Sequence, residues 1–99
     1  MPIPTIPAPL PSGGPPSFDC AKHSGPDEMA ICRSGRLSGL DRELNAAFVT
    51  LRSRLDPSSQ IRLRDEQRLW LRQRATCRDN ESCLISVYET RITELQNWR

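Results

Sequence analysis

Four cysteines, Cys20, Cys32, Cys77 and Cys83, are the residues of this chain whose type and spacing offer the most chemistry. A cysteine sulfur can ligate zinc, exchange disulfides or be clipped to a second sulfur. Structural zinc sites use C-x2-C pairs or Cys/His sets, but here eleven and five residues separate the members of each pair, and His23 is the only histidine. A redox dithiol usually reads C-x-x-C, which does not occur. Structural disulfides fit better. Four cysteines allow three connectivities. The layout favours Cys20 with Cys32 and Cys77 with Cys83, and long-range pairing of Cys20 with Cys77 or Cys83 is the alternative. Disulfides of either kind point to an oxidising compartment.

Little else suggests a reaction. No nucleophile stands beside a base, and His23 sits in a loop between Cys20 and Pro26 with no orienting partner. No paired carboxylates are arranged for acid–base work, and Gly13-Gly14 lies in a proline-rich stretch rather than between strand and helix. The chain reads as a non-enzyme without a cofactor. A basic stripe is the remaining candidate for binding: Arg64, Arg68 and Arg72 recur every four residues. Net charge is only +2, but residues 60–78 carry a local +4 and residues 79–99 a local −2. Nucleic acid is not an expected partner, because aromatics do not interleave with the arginines.

The elements that position these residues are helical. Residues 1–17 read as a disordered proline-rich tail or linker, with seven of nine prolines before residue 17. Residues 18–99 read as one domain. A short helix starts near Pro26, capped by Ser24 or Gly25, with Asp27 and Glu28 at the positive end of its dipole and Gly35 available as a left-handed stop. Leu37, Leu40, Leu44, Ala47, Phe48, Leu51 and Leu55 form the apolar stripe of a second helix. Asp56-Pro57 restarts a third over 57–76, and Asp79 or Asn80 caps a fourth, whose stripe is Leu84, Val87, Tyr88, Arg91, Ile92 and Leu95. The expected fold is all-α: a small disulfide-stabilised bundle of three main antiparallel helices plus a short N-terminal helix. No apolar run approaches the roughly 20 residues that span a bilayer.

Polar residues interrupt the inner stripes. If the second and third helices form a hairpin about Asp56, positions summing to about 115 face one another, which sets Asp41 against Arg74. A partly buried Asp41–Arg74 ion pair is expected, a clasp that fixes register. Gln67 and Arg91 are expected to extend this polar seam, and Trp70 and Tyr88 to serve as core aromatics.

The strings Phe18-Asp19-Cys20-Ala21-Lys22 and Glu28-Met29-Ala30-Ile31-Cys32 resemble the opening of the LprI-like family of bacterial secreted proteins and lipoproteins. So do Leu40-Asp41-Arg42-Glu43-Leu44, Gln67-Arg68-Leu69-Trp70-Leu71 with Arg74 and Cys77, and Cys83-Leu84 with Tyr88 and Arg91-Ile92. The resemblance spans about residues 18–96. It implies an exported helical domain, periplasmic or secreted, that binds lysozyme or another envelope protein and acts as an inhibitor by covering a substrate cleft. The alternative expectation is a non-inhibitory envelope module that uses the Arg64, Arg68 and Arg72 face for anionic lipid or glycan.

Overall fold

The structure, a computed structural model, describes residues 15–22 and 25–99; the expectations for the tail over residues 1–14, for His23 and for a Ser24 cap fall outside the described residues. A 3-10 turn over Cys20–Lys22 leads to four α-helices: α1 Pro26–Arg33, α2 Gly35–Ser53, α3 Pro57–Thr76 and α4 Glu81–Gln96. No strand occurs among the described residues.

Local chemistry accounts for each helix end. Pro26 and Pro57 open α1 and α3, where the missing N–H costs no helical bond. Between α1 and α2 stands a single residue, Ser34. Its N–H closes α1 on the Ala30 carbonyl (3.1 Å), and its Oγ accepts from the Leu37 N–H (3.1 Å) to cap α2. Gly35 therefore begins α2 instead of stopping α1. A serine side-chain cap satisfies an orphan donor that a left-handed glycine would leave open. At the next joint, the Gln60 amide donates to the carbonyls of Arg52 and Leu55, both at 3.0 Å, and ties α3 to the end of α2. Asn80 caps α4 by accepting from the Cys83 N–H (2.9 Å).

Both local disulfides form. Cys20 joins Cys32 in the last turn of α1, with Cα atoms 5.8 Å apart, and Cys77 joins Cys83 across the α3–α4 turn at 5.5 Å. Replacing Cys77 and Cys83 together by serine is expected to lower stability by roughly 2 kcal/mol, because the six-residue separation gives a modest loop entropy; thermal melts read this directly. The turn also holds Arg78 at φ 54°, just past the end of α3. That left-handed position usually takes glycine. Arg78→Gly is expected to raise stability by about 0.5–1 kcal/mol, since the steric cost of a Cβ there exceeds the entropy cost of glycine. An unchanged or lower melting temperature in Arg78→Gly counts against this.

The three long helices alternate in direction. Across α3 and α4, Trp70 meets Val87 and Tyr88, Gln67 meets Arg91 and Glu66 meets Trp98, so the two run antiparallel. Across α2 and α4, Ser34 meets Glu81 and Asp41 meets Tyr88, each pair 47 residues apart, so these helices run parallel. The main interface of α2 is with α4, not with α3. The reason is apolar supply. Only Leu63 and Trp70 of α3 are buried apolar residues, whereas α4 buries Leu84, Tyr88, Ile92 and Leu95 against Leu37 and Leu44 of α2 and Ala30 and Ile31 of α1. Full burial of one such leucine or isoleucine is worth about 1.5–3 kcal/mol, so α2 covers the richer stripe.

Candidate functional site

A buried polar relay joins all four helices. Arg74 reaches inward from α3. Its Nε donates to Asp27 Oδ2 (2.9 Å), its Nη2 to Glu28 Oε2 (3.3 Å) and its Nη1 to the Tyr88 hydroxyl (3.3 Å). Tyr88 then donates to Asp41 Oδ1 (2.7 Å). Ser17 completes the chain, donating its backbone N–H (2.6 Å) and its hydroxyl to Asp41 Oδ2. Phe18 and Trp70 flank the guanidinium, with ring centroids 5.8 and 5.9 Å from its carbon. Trp70 also meets Tyr88 edge to face at 5.1 Å.

The expected direct Asp41–Arg74 ion pair is thus replaced by a relay. Because α2 lies on α4 with the 47-residue offset, Asp41 meets Tyr88, and the phenol spans the distance to Arg74. The first turn of α1 supplies the carboxylates that Arg74 pairs with. Asp27 and Glu28 were legible only as helix-dipole residues. The signal that would have found them is a charged Arg74 on an inner stripe, which demands an acid from an element not yet paired with it. Ser17, at the end of the proline-rich stretch, lies beside Pro15, whose carbonyl accepts from Arg42 Nη1 (2.8 Å), and Pro16 is buried.

The electrostatics suit a clasp. Burial opposes the Arg74 charge, but Tyr88 and Asp27 outweigh it and hold the guanidinium above its ordinary range. Burial, reinforced by the Asp41 carboxylate, drives the Tyr88 phenol far above its ordinary value. Tyr88 is therefore a protonated donor at neutral pH, and the relay moves no proton.

A second seam lies further along α3 and α4. Arg91 Nε donates to Gln67 Oε1 (2.9 Å) and Nη1 to Glu94 Oε1 (3.2 Å), while Glu66 Oε1 stands 4.0 Å from Nη1. The Trp98 indole N–H donates to Glu66 (2.8 Å), and the Arg62 guanidinium carbon lies 4.3 Å from the Trp98 ring centre.

Arg64, Arg68 and Arg72 are exposed on the outer side of α3, away from both seams. Arg64 pairs with Asp65 (3.0 Å). Ile61 and Leu71, also exposed, share this outer face by helical spacing. Among the described residues, no helix is long and apolar enough to cross a membrane.

No curated protein and no solved structure matches the chain. A family model described as "Lysozyme inhibitor LprI" matches residues 20–95. That span runs from the first cysteine to the last core leucine and takes in both disulfides and all of the relay but Ser17. On this match the chain belongs to the LprI family.

Proposed function

We propose that this protein is a non-enzymatic binding domain that inhibits a lysozyme by covering its substrate cleft, in the periplasm or outside the cell. The family match carries this reading. The architecture is compatible with it: two disulfides and a fully engaged polar relay hold the helix ends, and a rigid surface loses little entropy on docking. The disulfides also accord with an oxidising compartment. The test is clearing of a cell-wall suspension by lysozyme at increasing ratios of the disulfide-intact protein. Dose-dependent protection is expected. Undiminished clearing at large molar excess would discard the reading.

The outer face of α3 favours a second reading. Arg68 and Arg72 are exposed, and so are Ile61 and Leu71. Such a mixed basic and apolar face suits an anionic lipid or glycan surface. In this reading the protein is an envelope module that is not an inhibitor. Salt-sensitive binding to phosphatidylglycerol vesicles, lost when Arg64, Arg68 and Arg72 become glutamine, is the expected result.

A further inference from the structure

A groove of about 630 Å³ lies between the second half of α2 and the end of α4. Ala47, Leu51 and Leu55 of α2, with Leu95 and Trp98, make its apolar floor, and Thr50, Arg54 and Gln96 stand on its rim. Leu51, Leu55 and Trp98 are only half-buried, so the groove leaves apolar surface open. We propose that it binds the chain's own proline-rich segment, from Pro4 to Leu10.

The chain is anchored beside the groove. Read backwards from Phe18, which flanks Arg74, it meets Asp41 through Ser17 and Arg42 through the Pro15 carbonyl. Arg42, Ala46, Thr50 and Arg54 follow one another at steps of four and form a single row along α2. The row begins at the anchor, and its other three members line the groove. From Arg42 to Arg54 is about 18 Å along the helix axis. Fourteen residues precede Pro15. In a polyproline-II helix Leu10 lies about 16 Å from Pro15 and Pro4 about 34 Å, so the segment covers the groove with length to spare.

The chemistry of segment and groove is complementary. A polyproline-II helix has three residues per turn, so Pro4, Pro7 and Leu10 share one edge and Ile3, Ile6 and Pro9 the next. Grooves walled by an aromatic ring receive such helices, and Trp98 supplies the ring. Five of residues 2–11 are proline, so the segment offers many carbonyls and few N–H groups. The rim answers with donors: the Thr50 hydroxyl, the Arg54 guanidinium and the Gln96 amide. Residues 1–14 carry no charged side chain, so docking buries no ion of the segment. Tethering raises the effective concentration to the order of millimolar, so weak contacts suffice. This inference does not rest on the inhibitor reading.

The experiment is NMR spectroscopy of the full, disulfide-intact, isotope-labelled chain, with a synthetic peptide of residues 1–14 as the reference for an undocked segment. Nuclear Overhauser contacts are expected from the Ile6 and Leu10 methyls to Leu51, Leu55 or Trp98, and the Ala8 and Leu10 amides are expected to be shifted from their positions in the peptide. Replacing Ile6 and Leu10 together by aspartate is expected to shift the amides of Ala46, Thr50 and Gln96, far from the substitutions in sequence. Ala46→Glu, at an exposed helical position, is the second test and is expected to return the Ala8 and Leu10 amides to their peptide positions. Three results would overturn the proposal: Ala8 and Leu10 at peptide positions in the parent chain; groove amides unmoved by the aspartate pair; or contacts seen only between differently labelled copies in a mixed sample, which would assign the groove to a second chain.

Discussion

Arg74→Met is expected to lower stability by about 3–5 kcal/mol, the largest effect of any single substitution in this chain. For a domain of this size that is a fall in melting temperature on the order of 20 °C. Three donor groups of one guanidinium serve three partners on two helices: Asp27 and Glu28 on α1 and Tyr88 on α4. Removing the charge strands Asp27, which is itself buried, and releases α1 from the rest of the bundle. Methionine keeps most of the packing against Phe18 and Trp70, so the loss reports the charge rather than a cavity. Lysine is not expected to rescue stability. Its single ammonium cannot reproduce a fork whose Nε, Nη1 and Nη2 each point to a different acceptor. Thermal and urea melts of both variants, with disulfides verified, measure this. A melting temperature for Arg74→Met within about 5 °C of the parent, little more than 1 kcal/mol, would mean the relay is not what joins α1 to α3.

Tyr88→Phe deletes one oxygen and is expected to cost about 2–3 kcal/mol, because that oxygen bridges two charged groups in the interior. The ring, fully buried and edge-on to Trp70, stays in place. Asp41→Ala is expected to cost a similar amount. The double variant should fall short of the sum of the two by about 0.5–3 kcal/mol, since both remove the same Tyr88–Asp41 bond. A strictly additive cycle would deny the bond any energetic role.

The phenol adds a pH signature. Burial raises the folded-state pKa of Tyr88, whereas the unfolded chain releases that proton near pH 10. Above about pH 10 the unfolded state therefore binds fewer protons, and stability falls as pH rises. Below it, the contribution is fully present. Tyr88→Phe is expected to lack this limb and to show a flatter alkaline profile. Tyr88 is the only tyrosine, so absorbance at alkaline pH follows it without assignment. Ionisation at an ordinary tyrosine value in the folded protein would contradict its place in the relay.

Much of this architecture was legible along the chain because its causes are local. Pro26 and Pro57 mark helix starts through a missing N–H, Asn80 caps through its own side chain, and the steps of three and four in α2 and α4 define buried faces wherever the partner lies. The cysteines pair locally because short loops bring them together. The polar residues on the inner stripes, Arg74, Asp41, Gln67 and Arg91, also announced themselves, because each breaks an apolar pattern. Gln67 and Arg91 were expected only to extend the seam; that they bond to each other is seen in the structure.

Partner choice between helices belonged to the tertiary structure. A hairpin of α2 and α3 would have put Asp41 on Arg74. The α3 stripe holds too little apolar surface for that, so α2 lies along α4 and Asp41 reaches Tyr88 instead. The same choice leaves Arg74 to the acids of α1 and leaves the Arg91 Nη2 without a hydrogen-bond partner among the described residues. Helix periodicity is written in neighbouring residues, but which faces meet depends on the area each offers to every other, a quantity that exists only once the chain is folded.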